Sequence, residues 1–184
     1  VAKDVKIQVE FNPAKVQAYR LIGYESRLLE AKDFNDDTKD AGEMGAGHSV
    51  TALYEIIPVG VKSNFAPSID PLKYQKTEKN EKKTLTDSPE LLTVKLRYKQ
   101  PESHKSSKME VTIIDNNTPL KKSSENFRFS AAVAGFGMLL QNSEYKNNFT
   151  FDDIIDLAKQ ATNYDPEGYR KEFIRLVESA ALLK

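Results

Sequence analysis

An α+β fold is predicted for this 184-residue chain, and three observations carry the prediction. Apolar and polar residues alternate along 3–11 and 91–99, the period of a half-buried strand. From Ser123 onward the apolar spacing lengthens to about 3.6, the period of a helix. Strands come first and helices last, whereas a parallel sheet would alternate the two. The expectation is an antiparallel, β-sandwich-like sheet domain over residues 1–118, followed by a C-terminal cluster of about three helices over 119–184 packed on it.

Residues 3–11 place Val5, Ile7, Val9 and Phe11 on one face and Lys6, Gln8 and Glu10 on the other. Asn12-Pro13 supplies a turn, and 16–24 (VQAYRLIGY) return as a second strand, so the two read as a hairpin. Ser49 to Val59 form a third strand with Leu53, Tyr54, Ile56 and Ile57 on both faces. That pattern predicts a strand central in its sheet or covered on both sides. A polar insertion at about 62–88 follows, with Pro67, Pro71 and the run KYQKTEKNEKKTLTDS; its low hydrophobicity predicts a long surface loop. In 91–99, Leu92, Val94, Leu96 and Tyr98 should face in, and Thr93, Lys95, Arg97 and Lys99 out. Met109, Val111 and Ile113 mark an antiparallel partner strand after a short connection.

Ser123 or Ser124 is placed to cap a helix over about 125–141, with Phe129, Val133, Phe136, Leu139 and Leu140 at helical spacing. Thr150 and Asp153 form a capping box for a helix carrying Ile154, Ile155, Leu157, Ala158 and Ala161. Asp165-Pro166 signals the start of a last helix with Tyr169, Phe173, Leu176, Val177 and Ala180 on one side. The aromatics Phe127, Phe129, Phe136, Tyr169 and Phe173 read as core. Gly135 and Gly137 lower helix propensity and read as points of close approach.

Composition narrows the function classes. Lysine plus arginine and aspartate plus glutamate both number 27, so no global basic field attracts nucleic acid or an acidic membrane. The absence of cysteine excludes disulfides, thiolate metal sites and cysteine nucleophiles. No apolar run approaches the ~18 residues of a membrane helix; the longest, Ala131 to Leu140, is interrupted by Gly135 and Gly137. The chain enters a strand-like run at once, which reads as a piece of a longer polypeptide with any targeting signal upstream.

The densest cluster of chemistry-bearing residues is 33–48: Asp33, Asp36, Asp37, Asp40 and Glu43, threaded with Gly42, Gly45 and Gly47 and closed by His48. Asp33, Asn35 and Asp37 occupy positions 1, 3 and 5 of a calcium-binding loop. However, Thr38 replaces the turn glycine and Met44 the bidentate glutamate. Gly45-Ala46-Gly47 lacks both the third glycine of a dinucleotide loop and the Gly-Lys of a nucleotide loop. His48 and Ser49 are neighbours on an extended segment and point to opposite faces, a poor start for a triad. No cofactor is expected. Lys95, Arg97 and Lys99 read as the wet face of a strand, without the interleaved aromatics of a single-strand nucleic-acid platform.

The blocks YRLIGYESRLL (19–29), DFNDDTKDAGEMGAGHSVTALYEIIP (33–58), LTVKLRYKQP (92–101), FRFSAAVAGFGMLLQNSEYK (127–146) and YRKEFIRLVESA (169–180) together resemble one bacterial family. It is the C-terminal region of YfbK-like von Willebrand factor type A domain proteins, and the likeness covers nearly the whole chain except about 62–88. The resemblance implies an upstream type A domain in the same polypeptide, a cell-envelope location with a lipoprotein signal upstream, and an edge open to a strand from the preceding segment. The Asp-x-Ser-x-Ser metal signature of a type A domain is absent here, so no metal residue carries over, and the resemblance brings no enzymatic role.

The first expectation is thus a non-catalytic accessory domain supporting protein–protein interaction. Its partners are the upstream domain and a further protein, without nucleic acid or a transmembrane segment in this chain. Asp33, Asp36, Asp37, Asp40, Glu43 and His48 form its candidate interaction loop. The alternatives are a ligand-binding module holding calcium or a glycan at 33–48, and, last, a hydrolase built on Asp36, Asp37 and His48.

Overall fold

The computed structural model describes residues 1–24, 28–63, 65 and 88–183; the polar insertion expected at about 62–88 falls almost wholly outside them. The chain is α+β, with two antiparallel sheets followed by three helices. It divides into two compact units, Val1–Asn116 and Asn117–Lys184.

Among the described residues, the first unit holds six strands: β1 (Ala2–Phe11), β2 (Val16–Ile22), β3 (Gly42–Met44), β4 (Leu53–Pro58), β5 (Glu90–Lys99) and β6 (Ser106–Ile114). Four make one sheet in the order β3-β1-β5-β6, and β2 pairs with β4 in the other. The alternation read along β1 and β5 fixes the register of the larger sheet. Ile7 pairs with Leu96 and Leu96 with Met109; Val9 pairs with Val94 and Val94 with Val111. The last row is Phe11, Leu92 and Ile113. One face is therefore apolar in three consecutive rows, while the opposite face carries the rows Lys6–Arg97–Lys108 and Gln8–Lys95–Glu110.

Two strand expectations are corrected. β1 and β2 do not form a hairpin, because they belong to different sheets. The Asn12 carbonyl accepts from both Lys15 and Val16 N–H, a tight corner that swings the chain out of the first sheet. The same asparagine locks that corner to β5: its backbone N–H donates to Leu91 O, and its Nδ2 donates to Glu90 O at 2.7 Å. β4 is not a central strand but half of a two-stranded ribbon. Its apolar residues find partners beyond the ribbon. Phe11 at the end of β1 lies 4.3 Å from the Tyr19 ring and 5.5 Å from the Tyr54 ring, centroid to centroid. Those aromatic contacts tie the two sheets together where backbone pairing ends. Burial also pushes the Tyr54 hydroxyl pKa up.

The second unit packs α1 (Glu125–Leu140), α2 (Phe151–Lys159) and α3 (Tyr169–Ala181). Ser124 caps α1 by accepting from Phe127 N–H. The Thr150–Asp153 capping box opens α2, and the Thr150 hydroxyl and N–H hold the Asp153 carboxyl below its ordinary range. α3 starts later than Asp165-Pro166 suggests, because Gly168 at φ 75° forms its N-cap. Asp165 still serves the helix from a distance: its two carboxylate oxygens accept from Arg170 and Lys171 N–H at 3.1 Å each. Burial pushes that carboxyl up, and these amides override it to hold it low.

The core of this unit is Ala132, Phe136, Leu139, Ile154, Ile155, Leu157, Ala158, Ile174 and Val177. All five apolar residues expected on α2 are buried. On α3, Val177 is buried and Phe173 and Ala180 pack against the core as expected, joined by Ile174, while Tyr169 and Leu176 are exposed. On α1, Val133, Leu140 and Phe127 are also exposed. Gly135 has the role its position suggests. A methyl there would overlap the Phe149 ring, with Cδ1 only 2.9 Å away, so this residue lets the ring seat against the helix.

Candidate functional site

The acidic run folds back over the charged face of the larger sheet. Its first turn, Ala31–Asn35, is a short 3₁₀ helix, and Phe34 is buried beneath it at 4% exposure. Lys6 is more deeply buried, at 2%. Its ammonium donates to the backbone carbonyls of Asp33, at 3.2 Å, and Asp36. A buried lysine is tolerated only where acceptors replace its water, and here the loop's own backbone supplies them.

β5 extends the junction. Arg97 donates to Ser106 Oγ at 2.7 Å and Asn35 Oδ1 at 3.1 Å, with Asp37 Oδ1 at 3.5 Å. Its guanidinium lies 5.7 Å from the centroid of the Phe34 ring. Ser106 Oγ donates to Asp37 Oδ1 at 2.7 Å. Lys99 bridges the Asp4 carboxylate and the Asp37 carbonyl, at 2.7 Å each. Asp4 reaches this position through a bulge: between the pairs Lys3–Lys99 and Lys6–Arg97, two residues of β1, Asp4 and Val5, oppose one of β5, Tyr98. Asp4 itself takes φ 52°, a left-handed conformation that aspartate accepts more readily than most residues.

The stripe Lys95, Arg97 and Lys99 is therefore not a wet strand face. All three are half-buried, and Lys95 pairs with Glu10 at 2.6 Å.

The predicted loop residues divide by role. Asp33 and Asp36 hold Lys6 through their carbonyls, and Asp37 joins the Arg97–Ser106 cluster. Asp40 and Glu43 lie with Asp4 in a group whose carboxylate oxygens fall within 4.8 Å of one another. Lys99 already neutralises Asp4 in that group. His48 is exposed, with Nδ1 3.1 Å from Ala46 O in its own turn. Among the described contacts none joins it to Asp36 or Asp37. The three residues that matched a calcium template do not converge: Asn35 and Asp37 turn to Arg97, and Asp33 gives its carbonyl to Lys6. Sequence reasoning missed Asp4, Lys6 and Ser106. The available signal was Phe34, a lone aromatic in an acidic run that needed somewhere to bury.

The junction shifts its own titrations. The Ser106 hydroxyl, with Arg97 and Lys99, holds the Asp37 carboxyl below the ordinary 3.8. Lys99 does the same for Asp4, and the Thr38 hydroxyl and N–H for Asp36. Asp4 in turn raises Lys99 above 10.5. Lowered carboxylates contribute stability above their unfolded values and lose it as pH falls through the folded ones. A raised lysine contributes below its unfolded value and loses it as pH rises through the folded one. The loop is thus held most firmly between those limits. Moving from about pH 6 to about pH 3 should lower the urea midpoint and the amide protection factors at Asp36–Thr38, taken relative to the intrinsic exchange rate at each pH. The Asp37→Asn variant should lose less over the same interval. Equal acid sensitivity in both proteins would mean that the junction does not set the titration.

The arrangement is a small antiparallel sheet whose charged face is latched by an acidic loop, joined in sequence to a three-helix unit. The chain belongs to the family described as "Uncharacterized protein YfbK, C-terminal", whose model matches residues 1–183. It is similar to "Uncharacterized protein YfbK" of Escherichia coli (strain K12), with 46% identity over 180 residues. That match takes in 98% of this chain but spans only 30% of the relative's length. No solved structure matches the chain.

Proposed function

We propose that this chain is a non-catalytic accessory domain, one that serves a longer polypeptide through protein–protein contact. The observation that carries the reading is the use of the acidic loop. Its carboxylates and carbonyls are taken up by Lys6, Arg97, Ser106 and Lys99, which suits a structural latch better than a reaction centre. The share of the relative that the match spans supports a role beside another region. On the family resemblance, that region is a von Willebrand factor type A domain, and the polypeptide is an envelope lipoprotein.

The test is association between this 184-residue chain and the separately produced upstream region, followed by sedimentation. A weak complex, with a dissociation constant of about 0.1 to 1 mM, roughly −4 to −5.5 kcal/mol, is the expected result. Two independently sedimenting species at about 1 mM would overturn the reading.

A further inference from the structure

We infer that the apolar face of the four-stranded sheet is the docking surface for the upstream region of the same polypeptide. This inference rests on the accessory-domain reading and assigns a surface to it. The two faces of the sheet are in opposite states. The charged face is latched and satisfied from within, with Lys6 and Phe34 buried under the loop. On the apolar face, Ile7, Met109, Val111 and Ile113 remain 47%, 50%, 50% and 42% exposed. These four side chains are in adjacent rows of a single face, continuous through the half-buried Leu96, Val94 and Leu92 of β5. A contiguous apolar patch on a sheet differs from scattered exposed side chains and marks a contact surface.

Size identifies the occupant. Three strands about 4.8 Å apart, over five residues of about 3.4 Å, give a projected area of roughly 250 Å². Even doubled for side-chain relief, that is well short of the roughly 800 Å² per partner of a stable complex between free proteins. A covalently joined partner needs far less, because tethering supplies an effective concentration in the millimolar range. Residues preceding this region in a longer polypeptide would join it at β1, an interior strand of this sheet that already pairs from Ala2. A region attached there is delivered to the end of the patch. The relative supplies the material: about 70% of its length (100 − 30) lies outside the match.

The experiment compares the 184-residue chain with the full-length polypeptide, each carrying Val111→Cys, by the alkylation rate of the residue-111 peptide in mass spectrometry. The cysteine-free background of this chain keeps its own label specific. Rapid alkylation in the 184-residue chain and a rate lower by about tenfold or more in the full-length polypeptide are expected. A second variant, Val111→Asp, should leave the melting temperature of the 184-residue chain unchanged and raise amide exchange of β6 only in the full-length polypeptide. Equal alkylation in both proteins overturns the inference, as does protection already present in the 184-residue chain. If the two regions associate while residue 111 stays reactive, the surface assignment fails and the accessory reading stands. If they do not associate at all, the accessory reading itself fails.

Discussion

Replacing Lys6 by alanine should destabilise the sheet unit by about 2–4 kcal/mol, more than any other single change in the loop junction. Two effects add. The side-chain stem fills space beneath the loop, and its removal leaves a void there. The carbonyls of Asp33 and Asp36 lose their shared ammonium donor and keep only the backbone bonds from Asp36 and Lys39 N–H; losing hydrogen bonds from a charged donor costs about 1–3 kcal/mol. Lys6→Met separates the two effects: it keeps most of the volume and loses only the donor, so about 1–3 kcal/mol should remain. Lys108 lies in the same row as Lys6, but on the outer strand, with 44% of its side chain exposed. Lys108→Ala should therefore leave the urea midpoint almost unchanged. Far-UV circular dichroism against urea measures all three variants, and amide exchange of Asp36 reports whether the loop has lifted. If Lys6→Ala and Lys108→Ala unfold at the same urea concentration, the latch contributes nothing.

This lysine also shows where the sequence stops being legible. Alternation along β1 correctly divides Lys6, Gln8 and Glu10 from Ile7, Val9 and Phe11, and the strand register follows that division. It does not say which face is covered. A charged row predicts water, yet Lys6 is among the most buried side chains in the chain and Ile7 is exposed. The reversal comes from contacts made 27 and 30 residues away, which no local period encodes. The same limit explains β4. It pairs with β2 alone, and Tyr54 on one of its faces is met by an aromatic contact with Phe11. Helix α2 lies at the other extreme. Its cap, its spacing and its four buried residues are all local properties, and all were readable. α3 falls between: Asp165 does accept from helix amides, but the left-handed Gly168 places the first turn later, and of the expected face Phe173, Val177 and Ala180 meet the core while Tyr169 and Leu176 do not.

The loop at 33–48 gathers reactive residue types, and their surroundings set what each of them can do. General acid–base chemistry needs groups aimed at a common point and poised near the working pH. Here Asp4, Asp36 and Asp37 are all driven the other way, toward permanent ionisation, by hydroxyls, amides and cations of the same chain. Carboxylates in that state are good anchors and poor proton shuttles. Their partners on β5 complete the arrangement, so the charge balance of the whole chain has a local counterpart at this junction.

The second large effect belongs to the helical unit. Ile154→Ala should cost about 2–5 kcal/mol, whereas Leu176→Ala should stay within about 0.5 kcal/mol. Ile154 is fully buried and Leu176 is 57% exposed, so the pair tests which apolar residues the core takes in as well as its existence. α2 has nine residues, too few to be stable on propensity alone. Its cap contributes about 1 kcal/mol, and the rest must come from packing its apolar stripe against α1 and α3. Ile154 packs against α1, with Cγ1 3.5 Å from where a side chain at Gly135 would begin. The cavity left by truncation cannot be filled from the α1 side. Adding Gly135→Ala to Ile154→Ala should deepen the loss, because the new methyl would still meet the Phe149 ring. Urea unfolding with amide exchange across α2 provides the measurement. Rescue of Ile154→Ala by Gly135→Ala would show that Phe149 moves freely and that the close approach of this ring to α1 is not what shapes the core.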